Sequence, residues 1–412
     1  MNELQRIVDA YTRARARGLR MALATVVGVE GSAYRRPGAR MLIAEDGSTA
    51  GTISGGCLER DVAERAAHVM QSRAALTVEY DTRGGEEIVW GLGLGCNGVV
   101  RVLLESLHEG GACARALEFI GECLRARKCC VLATLVSQSL KSSLGTTRAV
   151  KVGERLLLDE SLNVRGEPFA DAALAARARV DAAEALAHRR VAMRSYEASA
   201  GRAEIFYDVI TPPRPLVIFG AEQDALPLMR QAQTVGWRVT VVDTRARPAV
   251  RERFAEADEV VLCRADDVGA RIPLTENTAA VVMTHNYPDD VELLRALLPS
   301  NACYLGVLGP RERTSKLLEA IGVDAFGMLE GVFARLHSPA GVDIGAETPE
   351  EIALSIVAEI RAVCAARGGG FLRDRNAPIH DERASERALA AVVTGPRLHV
   401  SEAAPLVVCH SS

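Results

Sequence analysis

The chain of 412 residues has few aromatic residues, 4%, and no long run of basic residues. Its formal net charge is −4, with lysines and arginines scattered along the sequence, so it lacks the basic patch typical of nucleic-acid-binding proteins. No segment reaches the roughly 18 consecutive apolar residues needed to span a membrane, and the N-terminus lacks the apolar core of a signal peptide. We therefore expect a cytoplasmic protein whose partners are small molecules and other proteins.

The ten cysteines show none of the spacings that indicate a shared role. They form no CxxC pair and no cysteine–histidine pattern of the zinc-site type. A chain of this length can bury its own cores, so disulfides are not needed for stability. Most of the cysteines are expected to be buried free thiols in a reducing compartment, with Cys57 and Cys96 as the exceptions.

The predicted fold class is α/β, with an N-terminal mixed α+β domain over residues 1–210. Short β-branched segments near its beginning predict strands, and the dipeptide Asp46-Gly47 favours a tight hairpin turn between two of them. From Leu58 onward, apolar residues recur at helical spacing and predict one amphipathic helix. The proline-rich segment 211–215 interrupts regular structure and marks the end of this domain.

Residues 211–367 are predicted to form a second, Rossmann-like domain with a doubly wound parallel sheet. Apolar runs of about five residues alternate there with helical stretches, which is typical of parallel strands covered on both faces. Thr348 and Glu351 have the spacing of a capping box and predict a strong helix. Residues 368–412 carry only weak patterns and predict a loosely ordered tail.

The segment GTISGGCLER places Cys57 behind Gly55 and Gly56 and ahead of the predicted helix. Unpaired backbone N–H groups and the positive end of the helix dipole would stabilise a thiolate or a bound anion there. The glycines would let a ligand approach the backbone closely. Cys96, in GLGLGC, repeats the arrangement, so two thiols facing one cavity is one interpretation. The alternative is that the glycines make turns and the cysteines pack behind them.

A second motif, EGSAYRRPGARM, lies between two predicted strands and contains Arg35, Arg36 and Arg40. Guanidinium groups match the oxygens of phosphate and carboxylate bidentately, so this loop is a candidate anion site. A run of arginines on a solvated surface is the alternative. The position of the loop, one hairpin before Cys57, favours the functional interpretation.

In the second domain, a predicted strand ends at Gly220, and Asp243 closes the next strand where a ribose-binding acid is expected. The turn itself reads GAEQDA, so only the first of three nucleotide-binding glycines is present. Glu222 and Asp224 would repel a pyrophosphate, so a dinucleotide held in the standard way is not expected. His285 follows another strand and is a candidate acid/base or orienting donor, or else a structural histidine.

Two further loops are predicted near the same sheet edge. Gly309, Arg311 and Arg313 follow a strand and offer anion contacts. His337 and Asp343 lie in a proline- and glycine-rich segment that is a candidate to close over the edge.

These motifs together resemble the xanthine dehydrogenase accessory factor family, also called XdhC/CoxI. The matching blocks run in family order from about residue 23 to 363: EGSAYRRPGARM, GTISGGCLE, GLGLGC, LVIFG to VTVVD, MTH, YLGVLGPRER and HSPAGVDIGAETPEEIALSI. The resemblance implies a maturation chaperone rather than a turnover enzyme. Such a factor would bind molybdenum cofactor, protect it while a cysteine desulfurase installs a sulfido ligand, and deliver it to a xanthine dehydrogenase-type molybdenum hydroxylase. A homodimer is expected.

From this resemblance and from the chemistry of thiols and guanidinium groups, Cys57 is expected to be a ligand or near neighbour of the molybdenum. The predicted cofactor-binding residues are Arg35, Arg36, Arg40, Ser54, Gly55, Gly56, Cys57, Cys96, Gly220, Asp243 and His285. The chain departs from the family where relatives read Gly-Ala-Gly-His-x-Gly and it reads GAEQDA. Other departures are Tyr34, Asn97 and Asn286, in place of a frequent Pro, Gly and Asp. Binding of NAD(P) is therefore not expected.

Two alternative functions remain open from the sequence. One is an NAD(P)-dependent oxidoreductase that uses the second domain with His285 as acid/base. The other is a sulfurtransferase in which Cys57 carries a persulfide.

Overall fold

A computed structural model describes residues 3–81, 98–140, 151–166, 169–198, 201–322, 334–376 and 379. The chain divides into two compact units, Met1–Pro213 and Arg214–Ser412, and the division falls inside the proline-rich segment. Of the predicted tail, residues 380–412 lie outside the described residues. Within the described ranges, no helix has both the length and the apolar character needed to cross a bilayer.

The first unit contains two five-stranded antiparallel sheets. In the first sheet the strand order is β3-β2-β1-β5-β4, formed by β1 (Met21–Gly31), β2 (Arg40–Ala44), β3 (Thr49–Gly51), β4 (Leu76–Asp81) and β5 (Gly98–Ser106). In the second sheet the order is β8-β7-β6-β10-β9, formed by β6 (Cys130–Leu140), β7 (Arg155–Asp159), β8 (Val164–Arg165), β9 (Ala192–Ala198) and β10 (Gly201–Ile210). Gly47, at φ +83°, makes the turn between β2 and β3, which confirms the predicted hairpin.

Helices cover both sheets of this unit: α1 (Glu3–Ala16), α2 (Glu59–Ser72), α3 (Ala112–Ala126) and α4 (Ala172–His188). Successive residues of a strand point to opposite faces of its sheet. Accordingly, Ala22 and Ala24 of β1 join the core under α2, whereas Met21 and Leu23 join the core under α1 and α3. The second sheet repeats the pattern, with α4 covering one of its faces.

The second unit contains six parallel strands in the order β13-β12-β11-β14-β15-β16. They are β11 (Pro215–Phe219), β12 (Arg238–Asp243), β13 (Glu259–Leu262), β14 (Ala279–Val282), β15 (Tyr304–Val307) and β16 (Leu336–His337). Counted within the unit, this is the strand order 3-2-1-4-5-6 of a Rossmann fold, in which ligands bind at the carboxyl ends of the strands.

The helices of this unit lie on both faces of the sheet: α5 (Ala225–Thr234), α6 (Val250–Arg253), α7 (Val268–Arg271), α8 (Tyr287–Leu297), α9 (Arg311–Ile321) and α10 (Pro349–Cys364). Leu228 of α5 and Ile356 of α10 are buried in the core on one face. Leu294 of α8 and Leu317 of α9 are buried in the core on the other. The predicted doubly wound α/β domain is therefore confirmed.

Candidate functional site

The glycine–cysteine loop immediately precedes α2. Gly55 and Gly56 are exposed, Cys57 is half-buried, and Leu58 is the residue that caps the helix. Gly56 has φ +110°, a conformation that favours glycine. The Cys57 side chain packs against the apolar cluster that joins α2 to the first sheet. Its sulfur therefore lies at the boundary between this core and the exposed glycines.

Glu59, the first helical residue, turns its carboxylate back onto this loop. It accepts hydrogen bonds from the backbone N–H groups of Ser54 at 2.8 Å and Gly56 at 3.1 Å, and from Thr52 Oγ1 at 2.6 Å. Ser54 Oγ also bonds this carboxylate and accepts from the Leu58 N–H at 3.0 Å. Burial alone would raise the pKa of Glu59, but the hydrogen bonds from Ser54 and Thr52 outweigh burial and lower it to about 2.

This network differs from the sequence expectation. The sequence predicts unpaired backbone N–H groups behind Cys57, whereas those of Ser54, Gly56 and Leu58 bond to side chains of the chain itself. The same bonds fix the loop in one conformation. Ser54, a predicted cofactor-binding residue, has its hydroxyl buried inside this network.

The arginine loop lies against the glycine–cysteine loop. A Cβ placed on Gly55 would lie 3.5 Å from Cγ of Tyr34, whose side chain is 70% exposed. Arg35 forms an ion pair with Glu3 of α1, and the other oxygen of Glu3 accepts from the Thr52 N–H at 3.2 Å. The structure thus brings Arg35 and the loop before Cys57 together through one carboxylate.

The conformation of the arginine loop is set by its bonds to β1. The Gly38 N–H donates to the Val26 carbonyl at 2.8 Å, and the Val26 N–H donates to the Ala39 carbonyl at 2.9 Å. Arg36 is half-buried in this loop. The loop is therefore tied to the sheet that carries the glycine–cysteine loop.

Arg40 lies apart from the other two arginines. It is 6% exposed, and its guanidinium forms an ion pair with Asp208 of β10 between the two sheets. A second buried pair joins Glu105 to Arg155. Removing one partner of such a pair typically costs about 3–5 kcal/mol, because it leaves a buried charge uncompensated. Arg40 therefore uses its charge inside the unit, away from the surface that Tyr34 and Gly55 form.

Cys96 falls in residues 82–97, outside the described residues. The chain is described again from Gly98, which pairs with Gly31 at the end of β1. A Cβ on Gly98 would come within 2.5 Å of the Glu30 carbonyl oxygen, so glycine is required at this close approach. Gly98 thus lies beside the beginning of the arginine loop.

At the carboxyl edge of the parallel sheet, Gly220 has φ +128°, and a Cβ there would lie 2.3 Å from the Met283 carbonyl oxygen. Asp243 is buried and accepts from Arg247 through its N–H at 2.7 Å and its Nη2 at 2.8 Å. Arg247 Nη1 also donates to Glu222 at 2.7 Å. These hydrogen bonds, first to Asp243 and then to Glu222, raise the pKa of Arg247. The chain's own guanidinium therefore binds the predicted ribose-binding acid.

His285 lies at the same edge, with φ +56° and a side chain that is 56% exposed. Its Nε2 lies 2.6 Å from Oδ2 of Asp224. The Glu222 and Asp224 carboxylates of the degenerate turn are thus engaged by Arg247 and His285. The structure brings Gly220, Asp243 and His285 to one edge, as the sequence predicts, around a turn whose two carboxylates bond to Arg247 and His285.

The two further loops are held mainly by neighbours within the unit. Arg313 forms an ion pair at 2.5 Å with the buried Asp290. His337 Nδ1 lies 3.0 Å from Glu359, and its ring stacks on Tyr304 at 4.5 Å between ring centres. Arg311 and Asp343, in contrast, are exposed.

Three residues shape these sites although the sequence assigns them no role there: Glu3, Arg247 and Glu59, the last residue of the block GTISGGCLE. Arg247 follows Asp243 by four residues, a spacing that allows the two charges to meet. Glu59 follows Ser54 by five residues, and no short motif marks that distance. Across the described parts of the chain, no three or more His, Cys, Asp or Glu side chains are grouped so as to hold a metal ion.

Comparison with known families identifies two matching segments in this chain. A profile of the XdhC and CoxI family matches residues 14–81, which include the arginine and glycine–cysteine loops. A profile of the XdhC Rossmann domain matches residues 216–360.

Three similar proteins extend the comparison beyond these segments. A Bacillus subtilis protein, named as a probable xanthine dehydrogenase subunit, is 31% identical over 338 residues, which cover 82% of this chain and 91% of that protein. An uncharacterised Escherichia coli protein, YqeB, is 28% identical over 53% of this chain and 40% of its own length. The crystal structure of a xanthine dehydrogenase from Bacillus halodurans is similar with a TM-score of 0.69 and 30% identity, over 89% of this chain and 97% of that one. The chain belongs to the XdhC and CoxI family.

Proposed function

We propose that this protein is a maturation factor that binds molybdenum cofactor as cargo and delivers it to a xanthine dehydrogenase-type molybdenum hydroxylase. The binding surface is the glycine–cysteine loop together with Arg35 and Arg36. The observation that carries the proposal is the proximity of the Tyr34 ring to Gly55, where a Cβ would lie 3.5 Å from Tyr34 Cγ, because it sets the arginine loop beside exposed glycines and a half-buried thiol.

The chemistry of the cargo fits this surface. Its phosphate would be held by guanidinium groups and by a close approach to the glycine backbone. Its molybdenum, bound through soft sulfur ligands, suits the neighbourhood of the Cys57 thiol. Arg40 is left out of the proposed contact set because its guanidinium is paired with Asp208 in the interior, where both side chains are buried. Arg35 is paired with Glu3, but both of these side chains remain partly exposed.

The similar proteins support the identity of the client. Both the Bacillus subtilis relative and the Bacillus halodurans structure carry the name xanthine dehydrogenase. The proposal includes a cysteine desulfurase that supplies the sulfido ligand, a cytoplasmic location and a homodimeric protein.

The two other functions receive less support. An NAD(P)-dependent oxidoreductase needs Asp243 free for a ribose, whereas Arg247 holds that carboxylate. A sulfurtransferase with a Cys57 persulfide needs the thiol but not the arginine loop. A variant of Arg35 therefore distinguishes cofactor delivery, which needs the arginine loop, from sulfur transfer, which does not.

Delivery is tested by adding protein purified from cofactor-producing cells to the cofactor-free client and measuring client activity. We expect the wild type to restore activity, and Cys57→Ser and Arg35→Gln each to lower it about tenfold or more, since a hydrogen bond to a charged group contributes about 1.5–3 kcal/mol. Arg65→Gln, on α2 and paired with Asp61, is the charge-matched control and should behave as wild type. No restoration of the cofactor-free client by a folded wild type would contradict delivery. Restoration only of a client that already holds the cofactor without its sulfido ligand, dependent on Cys57 but not on Arg35, would favour the sulfurtransferase.

A further inference from the structure

Two cysteines meet at the amino-terminal edge of the parallel sheet. Cys303 directly precedes β15, Cys364 is the last residue of α10, and their sulfur atoms lie 3.9 Å apart. Both side chains are half-buried at the border of the core beneath α5 and α10. The carboxyl edge, with Gly220 and His285, is the opposite end of the same strands, so this thiol pair is separate from the sites described above.

Arg214, directly before β11, supplies a positive charge to the pair. Its Nη1 lies 3.5 Å from the Cys303 sulfur and also donates to the Asn277 carbonyl at 2.9 Å, which fixes its position. The Cys303 sulfur lies 3.2 Å from the Thr278 carbonyl oxygen, which accepts from the thiol form. In the thiolate form, the sulfur instead accepts from Arg214 and from the Cys364 thiol.

The two thiols differ in acidity. The hydrogen bond from Cys364 lowers the pKa of Cys303 to about 7, against the opposing effect of burial and with a further contribution from Arg214. The same hydrogen bond, together with burial, raises the pKa of Cys364. Cys303 is therefore suited to attack an oxidant as a thiolate, and Cys364 is suited to react afterwards as a neutral thiol.

We propose that Cys303 and Cys364 form a redox-active pair that hydroperoxides oxidise to an intramolecular disulfide. The Cys303 thiolate attacks the terminal peroxide oxygen and the O–O bond breaks. The released hydroxide, or the alkoxide of an organic hydroperoxide, takes a proton and leaves as water or an alcohol. Cys303 is then a sulfenic acid. The Cys364 sulfur attacks it, the S–O bond breaks, and a second water leaves with the thiol proton. The two cysteines lose two electrons, which reduce the peroxide.

A second thiol pair in the described part of the chain provides an internal comparison. Cys123 and Cys130, in the first unit, each shift the pKa of the other thiol, but both are buried, with 6% and 0% exposure. An oxidant in solution should therefore reach Cys303 first. Access, in addition to acidity, distinguishes the two pairs.

The test uses full-length native protein and hydrogen peroxide, followed by alkylation and a non-reducing peptide map. We expect a cross-link between the peptides that contain Cys303 and Cys364, which a dithiol reductant removes. In Cys364→Ser, peroxide should leave a sulfenic acid on Cys303 that dimedone labels. Arg214→Gln should slow the reaction of Cys303 several-fold, and Arg214→Lys should restore part of the rate.

Far-ultraviolet circular dichroism checks the folding of each variant, while the peptide map of the wild type requires no variant. The proposal is overturned if native wild-type protein keeps both thiols alkylatable while other cysteines oxidise. It is also overturned if Cys364 in Cys303→Ser oxidises as fast as in the wild type. Neither result depends on molybdenum cofactor, so failure here leaves the proposed function intact.

Discussion

Glu59 is the residue on which the shape of the candidate binding loop depends. Its carboxylate satisfies backbone N–H groups that an exposed, glycine-rich turn would otherwise leave to water. The arrangement holds Gly55 and Gly56 open while Cys57 packs at the edge of the core. A ligand that bound at this loop would meet a backbone that is already ordered, which would lower the entropic cost of binding.

Replacing Glu59 by Gln should destabilise the first unit by roughly 1–2 kcal/mol at pH 7, after allowance for the solvent screening of a half-exposed group. The pKa of Glu59 falls from 4.5 in its ordinary state to about 2 in the folded chain. The contribution of the Glu59 carboxylate to the free energy of unfolding is therefore complete above pH 4.5 and is lost as the pH falls toward 2. Urea unfolding of wild type and variant should show a difference at neutral pH that shrinks once the pH is below the ordinary pKa of the carboxyl.

The control for this prediction is Glu64→Gln, on the exposed side of the same helix. It should change stability by less than about 0.5 kcal/mol. Equal losses of stability in the two variants would contradict the role assigned to the hydrogen bonds of Glu59. A Glu59→Gln effect that does not vary with pH would contradict it as well.

The residues of the candidate sites are partly predictable from the sequence. The sequence predicts the turn at Gly55 and Gly56 and the strand ends at Gly220 and Asp243, because turns and strand termini favour particular residue types. The ion-pair partners that determine which arginines can bind a ligand are distant in sequence: Asp208 for Arg40 and Glu3 for Arg35. Local periodicity carries no information about such pairs, so the burial of Arg40 emerges only from the fold.

At the scale of elements, the helices and strands with strong periodicity match their predictions. The helix that begins at Glu59 and the helix after Thr348 are both present. The two-residue strands β8 and β16 are not predicted, because two residues show no period of their own. Their positions are set by the neighbouring strands with which they pair.

The capping box of α10 allows a quantitative test. The Glu351 N–H donates to Thr348 Oγ1, and the Thr348 N–H donates to the Glu351 carboxylate at 2.9 Å. Thr348→Ala should lower stability by about 0.5–1 kcal/mol, because the helix loses a side-chain acceptor at an exposed terminus. Thr348→Ser keeps the acceptor and should match the wild type in thermal unfolding; an equal loss in both variants would exclude the cap as the cause.

At the scale of the whole molecule, the order of domain types is predictable because the hydrophobic pattern changes from short strands to alternating strands and helices. The second unit has the strand order of nucleotide-binding folds, yet Glu222 and Ala225 stand at the second and third glycine positions of its turn. The fold therefore persists while the carboxylates at its usual ligand edge bond to Arg247 and His285. Fold alone does not assign a nucleotide to this unit.

Titration of the full-length protein with NADH and NADPH tests this interpretation. We expect no binding tighter than about millimolar, because Arg247 holds Asp243, the predicted ribose-binding acid, and the acidic turn would repel a pyrophosphate. Calorimetry or nicotinamide fluorescence provides the measurement. A micromolar dissociation constant would require Arg247 to release Asp243 and would revive the oxidoreductase alternative.

Whether this protein binds molybdenum cofactor as cargo is decided by what the purified protein carries. Full-length protein purified from cofactor-producing cells should carry molybdenum and releasable pterin in nearly equal amounts, and Cys57→Ser should carry much less of both. Cys263→Ser, which removes a buried thiol in the second unit, is the matched control and should load as the wild type does. A folded wild type that never contains molybdenum or pterin, or a Cys57→Ser variant that loads fully, would contradict the account.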